Sequence, residues 1–230
     1  MSYFSFLNYI DIDEINVIFE LGSRDLIDGI RLMDHFYNSK VYSFECNPDS
    51  LIECNKQLKK IENEKKRIVL VDKAVSLVDG IVTFYPFDLT KYDNMGASSM
   101  LKIDFSLQGL NTPNPQNQIN VVGTRLDTFM DENNIDNVDL ICIDLQGYEL
   151  NALKSLGEYL HKVKYIITEC SIQSTYIDGA NFVELNEYLN KYNFIYASSN
   201  RFGDSFPNTS LRGYSEFDAI FINLKFFEKL

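Results

Sequence analysis

The residues with the clearest chemical content are Asp144-Leu-Gln-Gly-Tyr-Glu149, which directly follow an apolar run at positions 138–143. A strand that ends in a carboxylate and then turns on a glycine into a helix brings that carboxylate to the carboxyl edge of a sheet. Ligands of open α/β folds bind at this edge. Because a carboxylate there can remove a proton, bind a cofactor or hold a metal ion, we predict that Asp144 belongs to a binding site.

A second turn from strand to helix lies upstream, at Glu20-Leu-Gly22-Ser23-Arg24. Gly22 would let the backbone approach a ligand closely, and the following helix N-terminus would offer N–H donors. A simple tight turn explains one glycine equally well. The next strand ends in Glu45, where an acid can accept the hydrogen bonds of a ribose diol. An acid after a strand is also common as a helix cap.

The third strand is followed by Asp72-Lys73-Ala74. At this place we expect the adenine end of a nucleoside, with Asp72 accepting from the exocyclic amine and Ala74 leaving room for the ring. The chain lacks the G-x-G-x-x-G spacing that accompanies a bound pyrophosphate. One glycine with acidic neighbours favours a cofactor with a cationic tail that lacks phosphate, and S-adenosylmethionine has these properties.

The elements that must position these residues alternate between strand and helix, which is typical of βαβ units and a parallel sheet. The segment from position 74 to 120 interrupts the alternation, with a strand at 81–85 and a loop at 111–116. The last two strands flank a polar loop and are expected to form an antiparallel pair at one sheet edge. We predict a single domain over 1–230, with strands at 17–21, 41–45, 68–71, 138–144, 163–168, 194–197 and 218–223, and helices over 26–37, 48–58, 125–132, 146–160 and 182–192.

The ordered set of motifs resembles the FkbM family of methyltransferases. The matching pieces run from the first strand to the turn after the fourth: Val17-Ile-Phe-Glu-Leu-Gly22, Val41-Tyr-Ser-Phe-Glu45-Cys-Asn-Pro, Lys73-Ala-Val-Ser76, Gly96-Ala-Ser-Ser99, Arg125-Leu-Asp-Thr-Phe129 and Ile143-Asp-Leu-Gln-Gly-Tyr-Glu149. The resemblance implies an α/β class I methyltransferase fold, a Rossmann-like three-layer sandwich. Its seven-stranded sheet would have the order 3-2-1-4-5-7-6 with strand 7 antiparallel.

The resemblance also implies O-methylation by S-adenosylmethionine of a small acceptor hydroxyl, typically on a sugar, glycan or polyketide-like molecule. Asp144 and Glu169, at the ends of strands 4 and 5, are the candidate catalytic residues. The cofactor-binding set that we predict is Glu20, Gly22, Ser23, Arg24, Glu45, Cys46, Asp72, Lys73, Ala74, Asp144 and Gln146. The sequence departs from the family twice: Arg24-Asp25 replace part of a glycine-rich loop, and Gln146 stands where a Glu is frequent.

Several roles stay open at this level. Asp144 and Glu169 could hold magnesium between them, although we assign no metal ligands. Glu149 could bond the backbone of its own turn. Ser98 and Ser99 could contact cofactor or acceptor, and Tyr148, Tyr176 and the loop at 200–206 are candidate acceptor walls. His35 and His161 are not expected to act as bases.

Composition excludes some classes of function. The net charge of −12 argues against binding to nucleic-acid phosphates. No apolar run approaches the roughly 18 residues of a membrane span, and four cysteines without C-x-x-C spacing predict free thiols in a cytoplasmic protein.

The partner would be a small molecule or glycan, and a homo-oligomer is compatible with the sequence. The alternative functions are an NAD(P)-dependent oxidoreductase and a non-catalytic binding module of the same fold.

Overall fold

The computed structural model describes residues 3–61, 65–91, 95–108, 115–208 and 216–227. Its ten strands are β1 (Val17–Leu21), β2 (Lys40–Glu45), β3 (Ile68–Asp72), β4 (Ala74–Val75), β5 (Gly80–Phe84), β6 (Ile119–Thr124), β7 (Val138–Ile143), β8 (Val163–Ser171), β9 (Phe194–Ser199) and β10 (Glu216–Asn223). The α-helices are α1 (Ile27–His35), α2 (Pro48–Lys60), α3 (Leu126–Asn133), α4 (Glu149–Lys154) and α5 (Phe182–Asn190). Short 3-10 helices include Tyr3–Tyr9 and Gly157–Lys162.

The main sheet has seven strands in the order β3-β2-β1-β7-β8-β10-β9. Neighbours from β3 to β8 pair in parallel, while β10 is antiparallel to both β8 and β9. Numbered within this sheet, the order is 3-2-1-4-5-7-6 with an antiparallel strand 7. The predicted fold class and edge pair are therefore confirmed.

Helices cover both faces of the sheet, because alternate residues of each buried strand point to opposite sides. Phe19 of β1 belongs to a core with α3, α4 and α5, whereas Ile18 belongs to a core with α1. The first core includes a cluster in which the Phe19 and Phe44 rings pack against Phe129 with centroids 5.9 and 4.9 Å away. Both cores fix the strands whose carboxyl ends carry the predicted site.

The segment between β3 and β7 differs from the prediction. The strand expected at 81–85 is present as β5, but it joins β4 and β6 in a separate three-stranded sheet. Sequence reasoning missed β6, in which four half-buried or exposed residues precede two buried ones. Most of the loop predicted at 111–116 lies outside the described residues.

The helix predicted over 146–160 is also shorter than expected. Gln146 and Gly147 have φ values of +53° and +94°, and Gly157 has φ of +52°. These left-handed residues confine α4 to positions 149–154, and a 3-10 helix begins at Gly157. Residues 144–148 therefore lie in a turn before α4 and not in the helix.

Candidate functional site

A cleft of about 960 Å³, including the part open to solvent, lies at the carboxyl ends of β1, β2 and β7. Most of the predicted cofactor-binding residues line it: Glu20, Gly22, Ser23, Arg24, Glu45, Cys46, Lys73, Ala74 and Asp144. The structure thus brings together residues from four separate sequence motifs.

Glu20 lies at the floor of the cleft and is almost fully buried. Its carboxylate accepts a 2.8 Å hydrogen bond from the Ser23 hydroxyl. Desolvation by burial raises the pKa of Glu20 to about 7. A Cβ atom at Gly29 would lie 2.5 Å from Glu20 Oε2, so the glycine in α1 leaves room for the acid. Gly29 therefore has a packing role next to the cleft.

Gly22 does not provide the open backbone that the sequence suggested. A Cβ atom there would lie 1.9 Å from the carbonyl oxygen of Asp144, and φ is +89°. The close approach is therefore to the end of β7. The N–H groups of Gly22 and Ser23 both donate to Phe44 O, at 3.1 and 3.0 Å. This turn joins β1 to its neighbours and is bonded internally.

Glu45 is buried at the end of β2 and accepts three backbone N–H groups. Oε1 accepts from Cys46 and Asn47, each at 2.8 Å, and Oε2 accepts from Arg24 at 2.8 Å. Burial raises the pKa of Glu45, and these hydrogen bonds oppose the shift. Asn47 caps α2 through its side chain, which accepts from Asp49 N. The Glu45 carboxylate thus fixes the loop around the cleft and also lines it.

Asp72 is placed differently from the prediction. It pairs in register with Glu45, but β3 is an edge strand and the Asp72 side chain is exposed and is not part of the described cleft lining. Lys73 and Ala74 occupy the wall instead. Ala74 packs with Cys46 and Phe84 in a small apolar cluster, so this end of the cleft has an apolar wall.

At the opposite end, Asp144 and Glu169 are joined by Gln146. Gln146 Nε2 donates to Asp144 Oδ1 at 2.7 Å and to Glu169 Oε2 at 2.8 Å. Asp144 lines the cleft, whereas Gln146 and Glu169 lie behind it, and Glu169 lines a small neighbouring depression. Burial is the main cause that raises the pKa of both carboxyls, and the charge of Asp144 adds to the shift at Glu169.

The magnesium site considered from the sequence does not fit this arrangement. Magnesium takes oxygen ligands, whereas a nitrogen that carries two hydrogens stands between Asp144 and Glu169. Among the described residues, no group of three or more His, Cys, Asp or Glu side chains is suited to hold a metal ion. We therefore assign no step to a metal.

Glu149 has the backbone role that the sequence left open. Its Oε1 accepts from the N–H groups of Leu145 and Gly147, at 3.0 and 3.1 Å. Burial raises the pKa of Glu149 to about 7, and the charge of Asp144 acts in the same direction. This side chain stabilises the turn that presents Asp144.

The two serines at 98 and 99 both line the cleft and also bond its loops. The Ser98 hydroxyl accepts from Phe87 N at 3.0 Å, and the Ser99 hydroxyl lies 2.9 Å from Gln146 O. They fix the middle segment against the turn after β7. Their predicted contact with a ligand stays a prediction.

The candidate acceptor walls are not part of the described lining of the cleft. Tyr176 is buried beside Gly147 and Glu169 and lines the small depression. Tyr148 is buried at the start of α4. In the loop at 200–206, the Phe202 ring packs on Phe217, while the Phe206 side chain is largely exposed. Their role toward an acceptor stays a prediction.

Sequence reasoning missed Tyr3, a buried residue of the first 3-10 helix that lines the cleft. The charges of Glu20 and Asp144 contribute to raising its pKa, after burial itself. A lone tyrosine before the first strand has no periodicity or motif that would have indicated this position.

The motif that begins at Arg125 has a structural role. Arg125 Nε donates to Asp127 at 2.8 Å, its N–H donates to Asp79, and Leu126 N donates to Ser155 Oγ. These bonds hold α3 against the small sheet and the end of α4. This motif lies outside the cleft lining.

Comparison with known proteins places this architecture in a family. The profile of the FkbM methyltransferase domain matches residues 28–196. The chain belongs to the FkbM methyltransferase family. It is 28% identical over 165 residues to the 2-O-methyltransferase NoeI of Sinorhizobium fredii, an alignment that covers 70% of this chain and 65% of that protein.

Solved structures share the fold of this FkbM domain. The methyltransferase FkbM from Methylobacillus flagellatus KT matches with a TM-score of 0.56 and 12% identity, over 94% of this chain and 45% of that one. A precorrin-6y C5,15-methyltransferase from Geobacter metallireducens matches with a TM-score of 0.51 and 10% identity, over 95% and 86%. No helix in the described ranges is long and apolar enough to cross a membrane.

Proposed function

We propose that this chain is an S-adenosylmethionine-dependent O-methyltransferase that acts on a hydroxyl of a sugar or glycan. The observation that carries the proposal is that Glu45 and Asp144 line the same cleft. Family membership supports methyl transfer, and the similarity to a 2-O-methyltransferase supports oxygen as the acceptor atom. The chain aligns with 65% of that relative, and the acceptor class is part of the proposal.

The residues of the cleft fit the chemical parts of this cofactor. An ionised carboxylate offers about four lone-pair sites, and three N–H groups occupy Glu45. Oε2 therefore has room for one ribose hydroxyl. The apolar wall around Ala74 suits the face of a purine. Glu20, buried at the floor, suits an ammonium group, because an opposite charge offsets the burial of the carboxylate.

S-adenosylmethionine supplies an electrophilic methyl group on a sulfonium. The chain contributes alignment and a place for the proton. In the overall exchange the S–CH3 bond would break as the O–CH3 bond forms, leaving S-adenosylhomocysteine, and the acceptor hydroxyl would lose its hydrogen, a proton that we assign to the Asp144 carboxylate. Burial raises the pKa of Asp144, while the hydrogen bond from Gln146 opposes the shift. A carboxylate with a raised pKa is a stronger base.

Calorimetric titration with S-adenosylhomocysteine tests the cofactor assignment. Glu45 and Asp72 are register partners on adjacent strands, but only Glu45 lines the cleft. We expect E45Q to weaken binding by about 10- to 100-fold, because a hydrogen bond to a charged group contributes roughly 1.5–3 kcal/mol. The matched variant D72N removes one charge from an exposed site and should leave the affinity unchanged.

The same titration separates the proposal from an NAD(P)-dependent oxidoreductase. Binding of NAD in place of S-adenosylhomocysteine by the wild-type protein would contradict the proposal and favour an oxidoreductase. Equal affinity in E45Q and wild type would remove Glu45 from the cofactor site. Thermal melts of both variants check that the loop held by Glu45 stays folded.

A further inference from the structure

Gln146 connects two carboxylates with one amide group. Its Nε2 lies 2.7 Å from Asp144 Oδ1 and 2.8 Å from Glu169 Oε2, so each of its two hydrogens has an acceptor. Asp144 follows β7 and Glu169 lies in β8, and these strands are neighbours in the sheet. The amide therefore joins the reacting end of the cleft to the next strand.

The position of this amide is itself fixed from several sides. Its Oε1 lies 3.0 Å from the Tyr176 hydroxyl, and its backbone carbonyl accepts from the Ser99 hydroxyl at 2.9 Å. Gln146 also has φ of +53°, a left-handed conformation that is strained for a residue with a side chain. Such a conformation persists where the surroundings determine it. The turn holds the amide in one place.

An amide donor and a divalent cation would compete for this position. Both would lie between the two carboxylates and use the same oxygen lone pairs. The amide offers only hydrogens there and lacks the positive charge that a carboxylate pair would attract. A glutamate at 146 would instead present a third set of oxygens beside Asp144 and Glu169, which is the donor chemistry that magnesium and manganese prefer.

We propose that Gln146 is a positioning residue that takes the place of a bridging cation: its amide ties Asp144 to Glu169 and orients the Asp144 carboxylate toward the cleft. The methyl transfer then requires no divalent metal. The bridge is independent of the assigned reaction, but the role of Asp144 as base rests on the proposed function.

The first experiment measures manganese binding by calorimetry and by its effect on thermal stability. We expect Q146E to gain one manganese site relative to the wild type and to melt at a higher temperature when manganese is present. The control Q57E makes the same substitution on α2, where Gln57 accepts from Lys60, and should gain no site. A wild-type manganese site that disappears in D144N would overturn the proposal, as would a Q146E variant that behaves like Q57E.

The second experiment measures the pH dependence of kcat in Q146G. Glycine tolerates positive φ, so this variant removes the amide without adding backbone strain. Because the lost donor favoured the ionised form of Asp144, the acid limb should move upward by about one pH unit. Loss of folded protein alone would lower the rate without moving this limb.

The two experiments distinguish a failure of the Gln146 bridge from a failure of the proposed function. If the chain transfers no methyl group, manganese binding by Q146E still tests the bridge. If the wild-type enzyme transfers methyl groups but loses activity with a chelator, the proposed function stands and the positioning role of Gln146 is wrong. An unmoved acid limb in Q146G would also overturn that role.

Discussion

Glu149 shows how a single buried carboxyl couples the site to pH. Its pKa is raised by burial from 4.5 to about 7 in the folded protein. Below about pH 4.5 the group is protonated in both states, and between these values only the folded state keeps the proton. The contribution of Glu149 to the free energy of unfolding should therefore fall as pH rises through this window, by on the order of 3 kcal/mol, and stay level above it.

The variant E149Q tests this effect, because an amide oxygen can still accept from the N–H groups of Leu145 and Gly147. We expect urea denaturation to give a smaller loss of stability between pH 5 and pH 8 in E149Q than in the wild type. The exposed Glu187 on α5 supplies the control E187Q, which should keep the wild-type pH dependence. If stability depended on pH in the same way in E149Q and in the wild type, the Glu149 carboxyl of the wild type would already be ionised in the folded protein at low pH.

At the scale of elements, the junction between β1 and β7 determines where the cleft forms. Gly22 and Gly80 both have positive φ, at +89° and +105°. An added Cβ would meet Asp144 O at 1.9 Å in the first case and nothing within 4 Å in the second. Alanine at either site incurs the conformational strain, but only at Gly22 does it force the strand ends apart.

We therefore expect G80A to lower the free energy of unfolding by about 1–2 kcal/mol. The variant G22A should lower it by several kcal/mol more, since the clash is with backbone that cannot move aside easily. Chemical denaturation of both variants measures the difference. Similar losses in the two variants would mean that the β1–β7 junction adapts and that crowding at Gly22 is not decisive.

At the scale of the whole molecule, the fold follows from the sequence more directly than the site does. Strand and helix alternate along most of the chain, and the residues that end β1, β2 and β7 carry acids that meet at one sheet edge. Glu20, Glu45 and Asp144 were therefore predictable from the sequence. Asp72 was not, because the edge position of β3 leaves its last side chain facing solvent.

Other parts of the site depend on contacts that no local pattern encodes. The amide of Gln146 reaches both Asp144 and Glu169 only because its own φ is positive and β8 lies beside β7. Tyr3 reaches the cleft from a short 3-10 helix that precedes the sheet. Long-range packing determines both positions, and a single sequence carries no periodic signal for either.

The measurement that tests the central claim most directly is mass spectrometry of a panel of sugars and glycans after incubation with the enzyme and S-adenosylmethionine. The account predicts that an acceptor gains one methyl group on a hydroxyl oxygen, together with stoichiometric release of S-adenosylhomocysteine, and that added chelator leaves the rate unchanged. The absence of methyl transfer to any hydroxyl, with NAD(P)-dependent oxidation of the same panel, would contradict it.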